Sequence, residues 1–128
     1  MKKSTLKNKL WKIVSEYIRR RDADENGYVD CCTCGKTYHW TKIQAGHFIA
    51  AAQGNATRWD ERNIHSQCMR CNLNLGGNGA EYYPFMVNKY GEDFVNELRS
   101  RPMVKLSDSD YLKLIEEYSE KLARLNNV

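Results

Sequence analysis

The sequence predicts an α+β protein in which a small zinc-stapled core lies between N-terminal and C-terminal helices. Apolar residues repeat with helical spacing at both ends of the chain, whereas residues 28–67 contain short β-prone pieces separated by turn residues. Two C-x2-C pairs flank that middle region. Because 128 residues make one domain's worth of chain, we expect a single domain over 1–128. Its predicted parts are a basic helix at 4–24, the zinc core at 28–80 and C-terminal helices at 81–126.

The first helix is predicted to be strongly basic. Ser4 or Thr5 can cap it, and one face carries the apolar residues Leu6, Leu10, Ile13, Val14, Tyr17 and Ile18. Residues 1–21 contain eight lysines and arginines but one acid, and this uneven distribution favours a polyanionic partner. The cluster of Arg19, Arg20 and Arg21 is therefore predicted to bind nucleic acid. The alternative is a solvated helix end, where cations suit the helix dipole.

The C-terminal part is predicted to be helical. Pro84 suits the first turn of a helix that Gly91 ends, and a second short helix follows at 92–100. Ser107 and Asp110 have the spacing of a capping box, which begins a last helix. Its apolar residues are spaced like a coiled-coil seam and are Tyr111, Ile115, Tyr118, Leu122 and Leu125. This stripe can pack on the N-terminal helix of the same chain or on a second copy in a homodimer.

The five cysteines indicate a metal site rather than disulfides. No long apolar run and no signal peptide are recognised, so we expect no membrane contact and a cytoplasmic protein with reduced thiols. The pairs Cys31-x2-Cys34 and Cys68-x2-Cys71 together supply the tetrahedral sulfur site that zinc prefers. We expect this zinc to be structural, with no position left for water. Cys32 is the spare cysteine.

Polar residues on both sides of the second cysteine pair form a candidate active site. His47 lies in a predicted strand, and Asn63 and His65 point to the same side if their segment is extended. Asn72 directly follows Cys71 and is predicted to begin a helix. Each residue also has a structural explanation of its own, as a core histidine, a turn residue or a helix N-cap.

The order of these residues resembles the HNH nuclease motif, a ββα-metal hairpin and helix. The resemblance implies a treble-clef/ββα-metal (HNH-like) core that hydrolyses phosphodiester bonds. It implies His47 as the general base and Asn63 as the residue that holds His47 in orientation by a hydrogen bond. It further implies that Asn72 binds the catalytic ion, Mg²⁺ or Mn²⁺. Three nearby arginines are predicted to hold phosphates, namely Arg58, Arg62 and Arg70.

One position departs from the HNH pattern. Many HNH enzymes have a metal-binding acid or histidine directly before the first motif histidine, and here that residue is Gly46. The missing ligand has to come from elsewhere, and the candidates are His65, Asp60 and Glu81. We favour His65, because its predicted side of the strand matches that of Asn63.

Several longer motifs resemble one family within this superfamily. The segments Q-A-G-H-F, R-W-D-E-R-N-I-H-S-Q-C-M-R-C-N and Y-G-E-D-F-V-N-E-L occur in an order similar to that of the lambda-type phage NinG/Rap proteins. The resemblance covers about residues 8–125 and implies a structure-selective DNA endonuclease, encoded by a phage or prophage, that acts in the bacterial host. Its substrates would be branched recombination intermediates such as Holliday junctions, whose symmetry favours a homodimer.

Two further expectations accompany this resemblance. Family members often carry an additional cysteine-containing segment at the N-terminus, and this sequence starts after it, so we expect its role to be missing. The competing interpretation is a non-catalytic zinc module that binds DNA or RNA. Such a module has no need of His47 as a base, so His47 discriminates between the two.

Overall fold

The structure is a computed structural model that describes residues 2–126, and it has the predicted mixture of helices and short strands. The helices are α1 (Lys3–Asp22), the single-turn α2 (Asn55–Arg58), α3 (Gly79–Tyr90), α4 (Glu92–Arg99) and α5 (Asp108–Asn126). The strands are β1 (Tyr28–Asp30), β2 (Thr37–His39), β3 (Gln44–His47) and β4 (Ile64–Gln67). Within residues 2–126, no helix combines the length and the apolar composition that crossing a membrane requires.

The largest apolar cluster joins α1, α5 and the β3–β4 hairpin. From α1 it takes Leu6, Leu10, Val14, Tyr17 and Ile18, and the other buried members are Ala45, Trp59, Ile64, Tyr111 and Tyr118. The rings of Tyr17 and Tyr118 lie 5.8 Å apart where the two helices meet. The apolar stripe of α5 therefore packs on the N-terminal helix of its own chain, which was one of the two predicted arrangements. A homodimer, which could still use the partly buried edge of this stripe, remains a prediction.

The ends of the helices follow the predicted signals in part. Ser107 and Asp110 form the predicted capping box, with N–H to side-chain oxygen distances of 2.9 and 3.1 Å in the two directions. Gly91, at φ 89°, ends α3 as predicted. The prediction that Pro84 lies in the first turn of α3 is wrong, since the helix begins five residues earlier and Pro84 lies inside it. The prediction that Ser4 or Thr5 caps α1 is also wrong, because α1 begins at Lys3 without a side-chain cap.

Two antiparallel hairpins form the middle of the chain. β1 pairs with β2, and β3 pairs with β4 so that His47 lies opposite Ile64 and Gly46 lies opposite His65. Since neighbouring residues on a strand point to opposite faces, His47 and Gly46 belong to different faces of the second hairpin. The face of His47 packs on α1, as the buried Ala45 and Ile64 show. The face of Gly46 packs on α3, whose Tyr82 hydroxyl donates a hydrogen bond to the Gly46 carbonyl over 2.7 Å.

Removing a core side chain of α1 is expected to destabilise the whole domain. Leu10 is fully buried in the cluster between α1 and α5, and we expect Leu10→Ala to lower the free energy of unfolding by about 2–5 kcal/mol. Urea unfolding of zinc-loaded protein measures this change. Leu112→Ala in α5 is the matched control, because Leu112 is 55% exposed, and its effect is expected to stay within about 0.5 kcal/mol. Equal effects of the two substitutions would contradict the packing described here.

Candidate functional site

The predicted cysteine cluster forms in the structure. The sulfur atoms of Cys31, Cys34, Cys68 and Cys71 all lie within 4.8 Å of one another, and those of Cys34 and Cys68 are 3.8 Å apart. Zinc–sulfur bonds of about 2.3 Å in a tetrahedron place neighbouring sulfurs about 3.8 Å apart, so this group can hold a zinc ion. Cys32 does not belong to the group, as predicted. Among the described residues, histidine, cysteine and acidic side chains form no second cluster of this kind.

The surroundings of Cys31 favour its thiolate form, whereas at Cys34 the hydrogen bond from the Lys36 backbone is outweighed by desolvation and the neighbouring sulfurs, which raise the pKa to about 12. Burial raises the pKa of Cys31, but the hydroxyl of Thr33 and backbone N–H groups outweigh this and lower that pKa to about 6. The Cys71 N–H also points at the sulfur of Cys68 over 3.5 Å. Because a thiolate and not a thiol binds zinc, these hydrogen bonds prepare the cluster for a metal.

His47 is held on both sides at the end of β3. Its Nε2 atom lies 2.9 Å from the backbone oxygen of Arg58, and its ring stacks on Trp11 of α1 with centroids 5.0 Å apart. Burial lowers the pKa of His47 below its ordinary value, against the opposing effect of the hydrogen bond to Arg58. The imidazole is therefore neutral at pH 7, which a general base requires. No sequence pattern pointed to the stacking partner Trp11, which lies outside the apolar stripe noted in α1.

Asn63 does not contact His47 directly, contrary to the predicted hydrogen bond. Its side chain is fully buried, accepts a hydrogen bond from the Ile49 N–H over 2.8 Å, and donates to the carbonyls of Ile49 and Thr57 over 3.0 and 3.1 Å. Thr57 directly precedes Arg58, whose carbonyl binds the ring of His47. Asn63 thus fixes the backbone at Ile49, two residues after His47, and at Thr57, next to Arg58. It can orient the His47 ring only through that backbone.

His65 is buried on the Gly46 face of the hairpin, and both of its ring nitrogens are engaged by tyrosine hydroxyls, so neither nitrogen is free for an ion in this arrangement. Its Nδ1 and Nε2 atoms lie 3.1 and 2.7 Å from the hydroxyls of Tyr82 and Tyr90. Burial lowers the pKa of His65 to about 3, which keeps the ring neutral. The prediction that Asn63 and His65 point to the same side assumed an extended segment. Asn63 instead ends a 3-10 turn, Glu61–Asn63, and the strand begins after it. Strand alternation therefore does not reach back to Asn63.

The two acidic alternatives have different surroundings. Asp60 accepts hydrogen bonds from Arg62 and Arg101, with its Oδ2 atom 3.1 and 2.9 Å from their guanidinium nitrogens. Burial raises the pKa of Asp60, but these hydrogen bonds more than compensate and hold it below its ordinary value. Glu81 is exposed in the first turn of α3. Asp60 is therefore engaged by two arginines, whereas the role of Glu81 stays a prediction.

Asn72 lies against the Gly46 face of the hairpin. It does not begin a helix as predicted but lies inside a π-helical turn, Arg70–Asn74, that follows the second cysteine pair. Its Nδ2 atom donates to the Oε1 atom of Gln44 over 2.9 Å. A Cβ atom added to Gly46 would lie 3.0 Å from Asn72 Oδ1 and 1.9 Å from Gln67 Oε1. Sequence reasoning missed Gln67. Because Gln67 lies two residues after His65 in β4, strand alternation places both side chains on the same face, which could have been predicted.

The arginines predicted to bind nucleic acid divide into two groups. Both Arg19 and Arg20 contact Trp40: Arg19 donates to its carbonyl, and the guanidinium of Arg20 lies 4.3 Å from the centroid of its ring. Arg21 donates to the carbonyls of Glu61 and Ile64. This cluster thus helps to hold α1 to the core, and its role in binding nucleic acid stays a prediction. Arg58 and Arg62 lie over the rings of Trp59 and Phe94, whereas Arg70 is exposed.

The fold and the four sulfurs define a small α+β protein with a site able to bind zinc. The family model described as "Bacteriophage Lambda NinG protein" matches residues 1–127, and the chain belongs to this family. The family predicted from the sequence motifs is thereby confirmed. No solved structure matches the chain.

Relatives from several phages agree with this assignment. The chain is 34% identical over 115 residues to "Protein ninG" of Escherichia phage lambda and of Salmonella phage P22, which covers 89% of this chain and 54% of each relative. It is 37% identical over 87 residues to "Protein ninG" of Enterobacteria phage H19B, which covers 68% of this chain and 41% of the relative. The chain thus spans about half the length of the first two of these relatives.

The zinc site yields a direct prediction. Purified protein is expected to contain about one zinc per chain, and Cys68→Ser is expected to lose most of it and to unfold, because three sulfurs no longer close the tetrahedron. Elemental analysis and circular dichroism measure metal and folding together. Cys32→Ser is the matched control and should keep both. A chelated, zinc-free protein that stays folded would contradict the structural role of the metal.

Proposed function

We propose that this protein is a metal-dependent endonuclease of the HNH type that hydrolyses phosphodiester bonds in branched DNA. The observation that carries the proposal is the state of His47, a neutral and rigidly held imidazole at the end of β3, with Asn72 beside the neighbouring residue Gly46. The β3–β4 hairpin followed by the Arg70–Asn74 turn also has the order of elements expected of a ββα-metal core. Neither a structural zinc nor a mixed fold requires a histidine in this state.

The hydrogen bond to Arg58 determines which nitrogen of His47 can act as the base. A carbonyl oxygen only accepts hydrogen bonds, so the Nε2 atom, 2.9 Å away, carries the ring hydrogen. The lone pair of the neutral ring is then on Nδ1, which can take the proton from an attacking water. The carbonyl also stabilises the imidazolium formed after proton transfer, since it continues to accept from Nε2–H. Stacking on Trp11 fixes the plane of the ring.

The oxygens on the Gly46 face fit a hard divalent cation. Asn72 Oδ1 faces Gly46 while Asn72 Nδ2 is held by Gln44, so the oxygen of this amide is the atom presented to an ion. Mg²⁺ and Mn²⁺ prefer oxygen ligands, and Mg²⁺ usually keeps several waters, so few protein ligands suffice. Such an ion, when bound, supplies charge stabilisation at the scissile phosphate and the leaving oxygen. Asn72 would hold it, and His47 would supply the base.

The preference for branched DNA rests on the family resemblance and on surface charge. Arg70 is exposed in the same turn as Asn72, so it is placed to contact a phosphate beside the site. A non-catalytic zinc module for DNA or RNA would use the same arginine and the same cysteines. It would gain nothing from a desolvated His47, and substitution of this residue therefore separates the two functions.

Substitution of the proposed base tests the function. We expect His47→Ala to lower the rate of cleavage of a four-way junction by about 10²–10⁴-fold in Mg²⁺ or Mn²⁺, while junction binding stays close to wild type. The assay compares the junction with a matched linear duplex, with and without the metal. His39→Ala, a histidine on β2, is the control and should cleave normally. Cleavage by His47→Ala at the wild-type rate would refute the assignment of the base.

The burial of His47 also predicts a particular pH dependence. Because its pKa is lowered, the neutral base persists below pH 6.5, and the acidic limb of the cleavage rate should have its midpoint below that value. Trp11→Leu removes the stacked ring and admits water, so the midpoint should move up towards 6.5. Single-turnover cleavage between pH 5 and pH 8 measures both profiles. An unchanged midpoint in Trp11→Leu would show that Trp11 does not desolvate the base.

A further inference from the structure

The side-chain amide of Gln67 occupies the space that the missing side chain of Gly46 leaves. We infer that Gln67 Oε1, together with Asn72 Oδ1, binds the divalent cation of the site and so replaces the ligand that would precede His47. The inference rests on the proposed function, because it deepens the description of the same metal site. It assigns a role to a residue that neither the motif nor the sequence singled out.

The location of the Gln67 amide beside Gly46 supports this inference. A Cβ atom on Gly46 would lie 1.9 Å from Gln67 Oε1 and 3.0 Å from Asn72 Oδ1, so both oxygens converge on one point beside β3. Gln67 reaches this point from β4, where it is paired with Gln44 two positions from the Gly46–His65 pair. The amide oxygen is thus located where a side chain at position 46 would begin.

The hydrogen bonds of Gln67 provide the second argument. Its Nε2 atom donates to the Gly77 carbonyl over 2.8 Å and to the Thr33 hydroxyl over 3.2 Å, which fixes the orientation of the amide. The Oε1 atom therefore has to face Gly46. Gln67 is fully buried, yet this oxygen has no hydrogen-bond partner among the described residues. Buried polar atoms are normally paired, so an oriented and unpaired oxygen indicates a ligand.

The chemistry of the surroundings selects a cation as that ligand. The nearest donor group, Asn72 Nδ2, is directed at Gln44 Oε1, which leaves the two amide oxygens facing the same space. The Gly46 carbonyl is already bonded to the hydroxyl of Tyr82. A space bordered by acceptors favours a positively charged occupant, and oxygen ligands favour a hard ion. Asn72 is partly exposed, so an ion can enter from its side.

This arrangement also explains why position 46 is a glycine. Any side chain there would have its first carbon at 1.9 Å from Gln67 Oε1, far inside contact distance. A ligand at position 46 and the amide of Gln67 are therefore mutually exclusive solutions for one ligand position. In this chain the Gln67 amide takes that position, which is possible only because residue 46 is a glycine.

Binding of Mn²⁺ to the full zinc-loaded chain without DNA tests the inference. Electron paramagnetic resonance of free Mn²⁺ gives the affinity, and we expect Gln67→Met, which keeps the length but removes the oxygen, to weaken binding about tenfold or more. Gln53→Met is the matched control on an exposed turn and should bind like wild type. Absence of Mn²⁺ binding by wild type, or equal affinity of Gln67→Met in a folded, zinc-loaded state, would overturn the inference.

Two further measurements keep the test decisive if Gln67→Met does not fold. In the wild type, substoichiometric Mn²⁺ should broaden the side-chain amide signals of Gln67 and Asn72 well before that of Gln53, and equal broadening would overturn the inference. The double variant Gly46→Asp/Gln67→Ala moves the ligand to position 46 and is expected to recover Mn²⁺ binding. A folded double variant without Mn²⁺ binding would count against the site.

Cleavage by wild type is assayed separately, so the two proposals fail in different ways. Cleavage of the junction together with Mn²⁺ binding that does not depend on Gln67 rejects the role of Gln67 and leaves the nuclease function standing. Mn²⁺ binding that depends on Gln67, without cleavage of any DNA tested, rejects the nuclease function and leaves the ion site standing.

Discussion

Antiparallel pairing of β3 with β4 is the constraint on which both halves of the site depend. The pairing sets Gly46 opposite His65 and His47 opposite Ile64, so two neighbouring residues of one strand project to opposite faces. A shift of the register by one residue would exchange these faces. The hairpin is short, and its geometry therefore has to be maintained by what packs on each face.

Each face is held by a different part of the chain. On the His47 face, α1 supplies Trp11 and the apolar core beneath it. On the Gly46 face, Gln67 is oriented by Thr33, which lies within the first C-x2-C pair, and by Gly77, which follows the second pair. The cysteine cluster therefore does more than close a loop. By fixing both acceptors of Gln67 Nε2, it determines where the Gln67 oxygen points.

The features that could be predicted from sequence are those that depend on local spacing. The two C-x2-C pairs, the capping box at Ser107 and the helix end at Gly91 are each encoded within a few residues, and the structure has them. Features that depend on distant partners could not be predicted. An apolar stripe shows that a face of α5 is buried but does not identify α1 as its partner. Similarly, Asn63 acts through the backbone of Thr57 and Ile49, and Gln67 acquires significance only once β4 is placed beside Gly46.

The basic helix shows how charge in a sequence differs from charge on a surface. Arg21 donates to two backbone carbonyls of the core and is paired with Asp22, which offsets its charge. The exposed lysines of α1 lie in its first half and are Lys3, Lys9 and Lys12. The last two are close in sequence to Trp11, the residue that stacks on His47. The exposed lysines of α1 thus lie in the half of the helix that carries Trp11, whereas the arginine cluster fastens α1 to the hairpin.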